Sequence, residues 1–227
     1  IHDILETFCR VVQADPGHLS TRIMLDISAD KLQQDVPWAA TRALWYARIA
    51  RTADWFVSGE ADRLALAQPA EFEVKARATL ADLGFSLTAK ADRIDLAADG
   101  RAYIYDYKTG LPPSPSEQRY FDKQLLLEAA MAENGDFEGL GPVSVAEAIY
   151  IGLGSKPVTT AAPLDDEPPM QVWEAFHALI KAYQDPAQGY TARRAMQSDK
   201  TPSDYDQLAR FGEWDVTIPA TVQMVKP

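Results

Sequence analysis

Asp106 and Lys108 stand two residues apart in Tyr103-Ile104-Tyr105-Asp106-Tyr107-Lys108, a run of strand-forming residues closed by Thr109-Gly110. Side chains alternate along a strand, so this carboxylate and this ammonium project from the same face. An acid and a cation on an otherwise apolar strand read either as a surface ion pair or as chemistry. The preceding turn bears on the choice. If Ala98-Asp99-Gly100 closes a hairpin as a three-residue loop with Gly100 left-handed, Asp92 lies directly across from Asp106. Their Cβ atoms would then be about 5 Å apart, where two carboxylates repel unless a cation lies between them. A two-residue Asp99-Gly100 turn would instead pair Asp92 with Tyr107 and send the two carboxylates to opposite faces.

Two converging carboxylates without an intervening base suit Mg²⁺ or Mn²⁺, hard cations that prefer carboxylate, carbonyl and water oxygens. Lys108, on the Asp106 face, could then touch a phosphate or polarise an attacking water. The chemistry implied is metal-assisted phosphodiester hydrolysis, in which the metal lowers the pKa of its water and neutralises charge on phosphoryl oxygens.

The elements that must position these residues follow from punctuation and periodicity. Residues 1–80 read as helices: a first from Ile1 to Val12, and a longer one from about Pro37 to Val57 whose Trp38, Leu44, Trp45, Ile49, Trp55 and Phe56 gather on a core side. Leu83 to Lys108 reads as the hairpin, with Asp99-Gly100 at its turn. After a Pro- and Ser-rich loop, residues 118–132 read as a helix and Val145–Leu153 as a strand. The acidic, Pro-containing stretch 155–169 reads as an exposed connection to a helix at about Met170 to Tyr183. Val172, Trp173, Phe176, Leu179, Ile180 and Tyr183 form its apolar stripe. A tail with Tyr190, Arg193 and Arg194 ends in Tyr205, Leu208, Phe211 and Trp214, expected to pack a final element. The order predicts a mixed α/β (α+β) fold, a central mixed sheet flanked by helices.

Composition narrows the function. The chain has 227 residues, with 22 Lys+Arg against 33 Asp+Glu and a net charge of −11. It is long enough to bury a sizeable core without staples. The single cysteine, Cys9, excludes an intrachain disulfide, a cysteine zinc site and a self-contained iron–sulfur cluster, and favours a reducing, cytoplasmic setting. No apolar run approaches a membrane span. The chain starts without Met inside an amphipathic pattern, so it is expected to be a piece of a longer protein. The expected organisation is one domain over 1–227, with a core at about 1–155 and a helical extension at about 169–227. No Gly-x-Ser-x-Gly elbow, phosphate-cradling loop or dinucleotide fingerprint is present. His18 and His177 fall outside any metal-ligand spacing and are expected at the surface. Glu71 and Glu73 could supply a further acidic group but read rather as a solvated edge, and Asp165-Asp166-Glu167 as a solvated loop. Arg119, Lys123, Arg193 and Arg194 are candidate phosphate contacts.

Asp92 followed by Asp106-Tyr107-Lys108-Thr109-Gly110 resembles the PD-(D/E)XK nuclease motif in its RecB-like form. Ile1-His2-Asp3-Ile4-Leu5-Glu6 resembles the end of the upstream helical motif of that family. Gln124-Leu-Leu-Leu-Glu128 resembles the downstream one. The upstream Gly position holds Ala89, and Glu128 stands where an aromatic is often found. The resemblance implies a restriction-endonuclease-like core and a Mg²⁺- or Mn²⁺-dependent deoxyribonuclease, an exonuclease. It further implies His2, Asp92, Asp106 and the Tyr107 carbonyl on the metal, Lys108 activating water, and Gln124 positioning the site. Across the whole chain the sequence is similar to the C-terminal nuclease domains of the AddB family. In that family the nuclease partners an AddA helicase–nuclease subunit, acts on DNA single strands delivered by the helicase, and serves double-strand break repair and recombination. The alternative is a nuclease-fold, DNA-handling scaffold without its own catalysis. A subunit fed by a helicase needs no basic surface of its own, which reconciles the charge of −11 with a DNA substrate.

Overall fold

The computed structural model describes residues 1–189, 206–215, 217–219 and 221. Tyr190, Arg193, Arg194 and Tyr205 lie outside the described residues. The chain divides into two compact units, Ile1–Ala175 and Phe176–Pro227.

The first unit is built on a five-stranded mixed sheet in the order β1-β2-β3-β4-β5, as the mixed α/β reading expected. Strands β1 (Ala67–Leu80) and β3 (Ala102–Lys108) each pair antiparallel with β2 (Phe85–Ala97) between them. β3 pairs in parallel with β4 (Val145–Gly152), and β5 (Val158–Ala161) closes the edge antiparallel to β4. Parallel neighbours need a crossover. Here it carries α4 (Pro115–Tyr120), started by a Ser114/Glu117 capping box, and α5 (Gln124–Asn134).

Each face of the sheet has its own core. Helices α1 (His2–Ala14), α2 (Thr21–Asp35) and α3 (Ala39–Leu66) supply one, where Leu5, Phe8, Met24 and Phe56 pack with Phe72, Tyr105 and Tyr107. On the other, Leu125, Leu126 and Met131 of α5 meet Val74, Ile94, Ile104 and Tyr150. α6 (Pro169–Gln184) begins in the first unit, where Val172 is buried against this second core and Trp173 packs on it. Of the rest of its stripe, Leu179 and Tyr183 are exposed. In the second unit the Phe211 and Trp214 rings meet edge-on at 5.8 Å, whereas Leu208 is exposed.

Four sequence expectations change. The helical reading of 1–80 stops at Leu66, because Ala67, Phe72, Val74, Ala76, Ala78 and Leu80 point inward in alternation with Gln68, Lys75, Arg77 and Thr79. Alanine favours helix on propensity, and the two-residue period overrides it. Of the six apolar residues assigned to the core side of α3, Ile49 and Phe56 are buried, while Trp38 and Leu44 are exposed. Residues 118–132 form the end of one helix and most of another, separated at Phe121. The 155–169 connection contains β5.

The β2 face toward α1 and α3 holds a buried ionic network. Arg93, with no solvent exposure, donates through Nε and Nη2 to the two Asp95 oxygens at 2.6 Å each. Its Nη1 reaches both Glu60 oxygens at 2.8 Å and Cys9 Sγ at 3.3 Å. Arg63 Nε donates to Glu60 Oε2 at 2.9 Å, so two cations balance two anions. Burial pushes the Cys9 thiol up to about 12, and Cys9 is thereby a packing residue and no nucleophile.

Candidate active site

Register places the acids. β2 and β3 pair Arg93 with Tyr105 and Leu96 with Ala102 around a loop in which Gly100 has φ +83°. This is the three-residue turn, and continuing its register sets Asp92 across from Asp106. On the other side of β2, the pairs Phe72–Arg93 and Val74–Ala91 flank Glu73, so Glu73 also lies across from Asp92. Three neighbouring strands therefore carry Glu73, Asp92 and Asp106 in one rank. Glu73 has φ +53°, an uncommon left-handed backbone for a residue with a side chain. Its carboxylate is ion-paired with Lys90.

Asp92 Oδ2 accepts the Tyr107 N–H at 2.7 Å, and its Oδ1 lies 3.3 Å from His2 Nδ1 at the start of α1. That hydrogen bond raises the His2 pKa, opposed by partial burial. One ring nitrogen of His2 and one oxygen each of Glu73 and Asp92 lie within 4.8 Å of one another, a candidate metal-ligating group.

Beside it, Lys108 Nζ lies 2.8 Å from Asp106 Oδ2 and donates to Gln124 Oε1 at 2.9 Å. Gln124, in the first turn of α5, donates through Nε2 to Asp106 Oδ1 at 2.6 Å and to Glu128 Oε1 at 3.1 Å. The shared face expected for Asp106 and Lys108 is thus present, and one amide fixes both. Burial raises the Asp106 pKa, against the pull of Lys108, and pushes Glu128 up to about 8. Asp106 Oδ2 and Glu128 Oε2 are buried without a hydrogen-bond acceptance, although Lys108 faces the former. The main chain behind Lys108 is clamped. Its carbonyl accepts the Leu153 N–H at 2.8 Å, and a Cβ on Gly152 opposite would come within 2.4 Å of Pro112.

The donor set fits a hard divalent cation: one imidazole and a rank of carboxylates. An excess of negative charge, left over after Lys90 and Lys108, favours that ion further. Residues 1–214 match the PD-(D/E)XK nuclease superfamily. The chain belongs to that superfamily. A nuclease of this superfamily is accordingly what the fold and the motif describe, and such nucleases typically use divalent metals. No curated protein matches the chain. Among solved structures, the chain is similar to one titled "Crystal structure of SSO0001" at 12% identity and a TM-score of 0.32, covering 75% of this chain and 97% of that one.

The structure brings His2, Asp92, Asp106, Tyr107, Lys108 and Gln124 into one corner. Two of its residues escaped the sequence reading. Glu73, assigned to a solvated edge, faces His2 and Asp92; the alternation from Ala67 to Leu80 was the signal that β1 runs beside β2. Glu128, read as a departure from the family pattern, sits one helical turn beyond Gln124 on the same face. The other candidates stay outside. His18 lies 3.9 Å from Asp15, Arg119 stacks on Tyr120, and Lys123 is ion-paired with Glu167 of the acidic loop. Among the described residues no helix is long and apolar enough to cross a membrane.

Proposed function

We propose that this superfamily member is a Mg²⁺- or Mn²⁺-dependent deoxyribonuclease that cuts DNA single strands, with exonuclease character. The observation that carries the reading is the Asp106–Lys108–Gln124 knot set against the His2, Glu73 and Asp92 donors. His2, Asp92, Asp106 and the Tyr107 carbonyl would hold the ion, with Glu73 as a further carboxylate. A bound divalent cation supplies a more acidic water and charge neutralisation at the phosphoryl oxygens. Lys108 binds a phosphate oxygen and orients the attacking water. Gln124 keeps Lys108 and Asp106 at their spacing, and Asp92 is held in place by the Tyr107 N–H.

The setting proposed is a cytoplasmic helicase–nuclease pair of the AddB–AddA kind acting in double-strand break repair and recombination. The sequence similarity from His2 to Trp214 supports it, as does a net charge of −11 that leaves DNA capture to a partner. A 5′-labelled single-stranded oligonucleotide incubated with the chain and Mn²⁺ tests the chemistry. Asp106→Ala and Lys108→Ala should each abolish cleavage while circular dichroism stays unchanged. Metal-dependent cleavage persisting in both variants would sink the proposal.

A further inference from the structure

The chain is acidic overall, yet residues 36–53 contain three arginines, two tryptophans, a tyrosine and no Asp or Glu. This stretch enters and forms the N-terminal half of α3. Along that helix Trp45, Arg48, Ile49 and Thr52 recur at three- and four-residue steps and share a face. They line a small surface groove with Ile1, Thr109 and Leu153. Two of these neighbours fix its position. Ile1 adjoins His2 and Thr109 adjoins Lys108, so the groove lies beside the candidate active site.

Within it the Arg48 guanidinium stacks on the Trp45 ring at 5.0 Å from the centroid. Arg48 is exposed, and among the described residues no carboxylate pairs with it. By contrast Arg63, further along the same helix, is buried on Glu60. Trp45 is half-buried against the α1–α3 core, so its orientation is set by packing, and its ring borders the groove. A planar aromatic surface beside an unneutralised guanidinium is what a single-stranded nucleic acid requires. Bases stack on the ring irrespective of sequence, and the phosphate between them meets the cation.

We propose that the Trp45–Arg48 groove is the approach track for the DNA single strand, seating one base on Trp45 and its phosphate on Arg48 next to the scissile position. The inference rests on the nuclease reading for its direction of travel, but binding itself needs neither metal nor cleavage.

The test is fluorescence anisotropy of labelled dT20 with the chain in EDTA at low salt, alongside inorganic polyphosphate as a competitor without bases. Arg48→Glu, a change at an exposed position that leaves the core intact, should weaken dT20 binding about tenfold. It should also lower the salt dependence by about one released counterion, and weaken polyphosphate equally. Trp45→Ala should weaken dT20 about fivefold or more and leave polyphosphate unaffected. Trp45→Phe, which keeps a ring in the packing, should recover most of the dT20 affinity. Unchanged dT20 binding in Arg48→Glu, or equal loss of dT20 and polyphosphate in Trp45→Ala, would overturn the track. Because no metal is present, loss of cleavage in the Asp106 variants and loss of dT20 binding here report separately on the chemistry and on the groove.

Discussion

Asp92 and Arg93 are adjacent on β2 and point to opposite sides of it. Arg93 is sealed from water between Asp95 and Glu60, with Arg63 completing two cations against two anions. Asp92 faces His2 and Glu73, with Asp106 across the hairpin, in a corner where carboxylates outnumber lysines. A closed, neutral network satisfies every charge from within, which burial demands. The corner leaves anions facing one another, a cost to the fold that an incoming cation would relieve. Charge balance, more than burial or the number of ionisable groups, separates the structural cluster from the functional one.

That difference is breakable, and the largest effect should come from the balanced side. Arg93→Met leaves Asp95 and part of Glu60 as buried, uncompensated anions. Its unfolding free energy in guanidinium titration should fall by about 3–5 kcal/mol. Asp92→Asn keeps an oxygen for the Tyr107 N–H while removing an anion from the crowded corner. The metal-free melting temperature should stay level or rise. The stabilisation by Mn²⁺, about 2.7 kcal/mol at a hundredfold excess over its dissociation constant for the unaltered chain, should vanish. If Asp92→Asn cost as much stability as Arg93→Met, the distinction between the two clusters would fail.

Glu128 sharpens the same contrast through pH. Its folded pKa of about 8 lies above the ordinary 4.5, so the stability held by the protonated acid is fully present below about 4.5 and lost as pH rises through 8. Glu128→Gln should therefore be more stable than the unaltered chain at pH 9 by roughly 1–2 kcal/mol, the full shift being reduced by local relaxation, and no more stable at pH 4. Melting curves across that range check it. The smallest effect is expected from Glu73→Gln, which should weaken Mn²⁺ binding in calorimetry by roughly threefold to tenfold and leave melting without metal unchanged. An undiminished affinity would remove Glu73 from the ligand set.

The site was legible where chemistry is local in the chain. Asp106, Lys108 and the Ala98-Asp99-Gly100 loop lie within a dozen residues of one another, so strand alternation and turn length were enough to bring Asp92 opposite Asp106. β1 was hidden because its inward positions are partly alanines, whose helix propensity masks a two-residue period. Glu73 was lost with it. The Arg93 network was invisible for another reason. Asp92-Arg93-Ile94-Asp95 reads as a polar strand surface, and the neutralising Glu60 and the uncharged Cys9 that meet Arg93 lie 33 and 84 residues away. The α3 apolar residues were assigned inward by periodicity alone; Ile49 and Phe56 are buried and Trp45 and Trp55 pack partly on the core, while Trp38 and Leu44 at the start of the helix stay exposed.

The bond from the Tyr107 N–H to Asp92 Oδ2 joins a main-chain group at the end of the hairpin ladder to a side chain of the ion-binding corner. Folding β3 onto β2 thereby freezes the Asp92 carboxylate in one rotamer with Oδ1 turned outward. The conformational entropy of that ligand is surrendered during folding, before any ion arrives, so ion capture need not supply it. The same bond makes the reverse true. An ion that holds Asp92 in place also holds the last rungs of the hairpin together, so fraying at this end of β3, read by hydrogen exchange of the Tyr107 amide, becomes a direct gauge of occupancy.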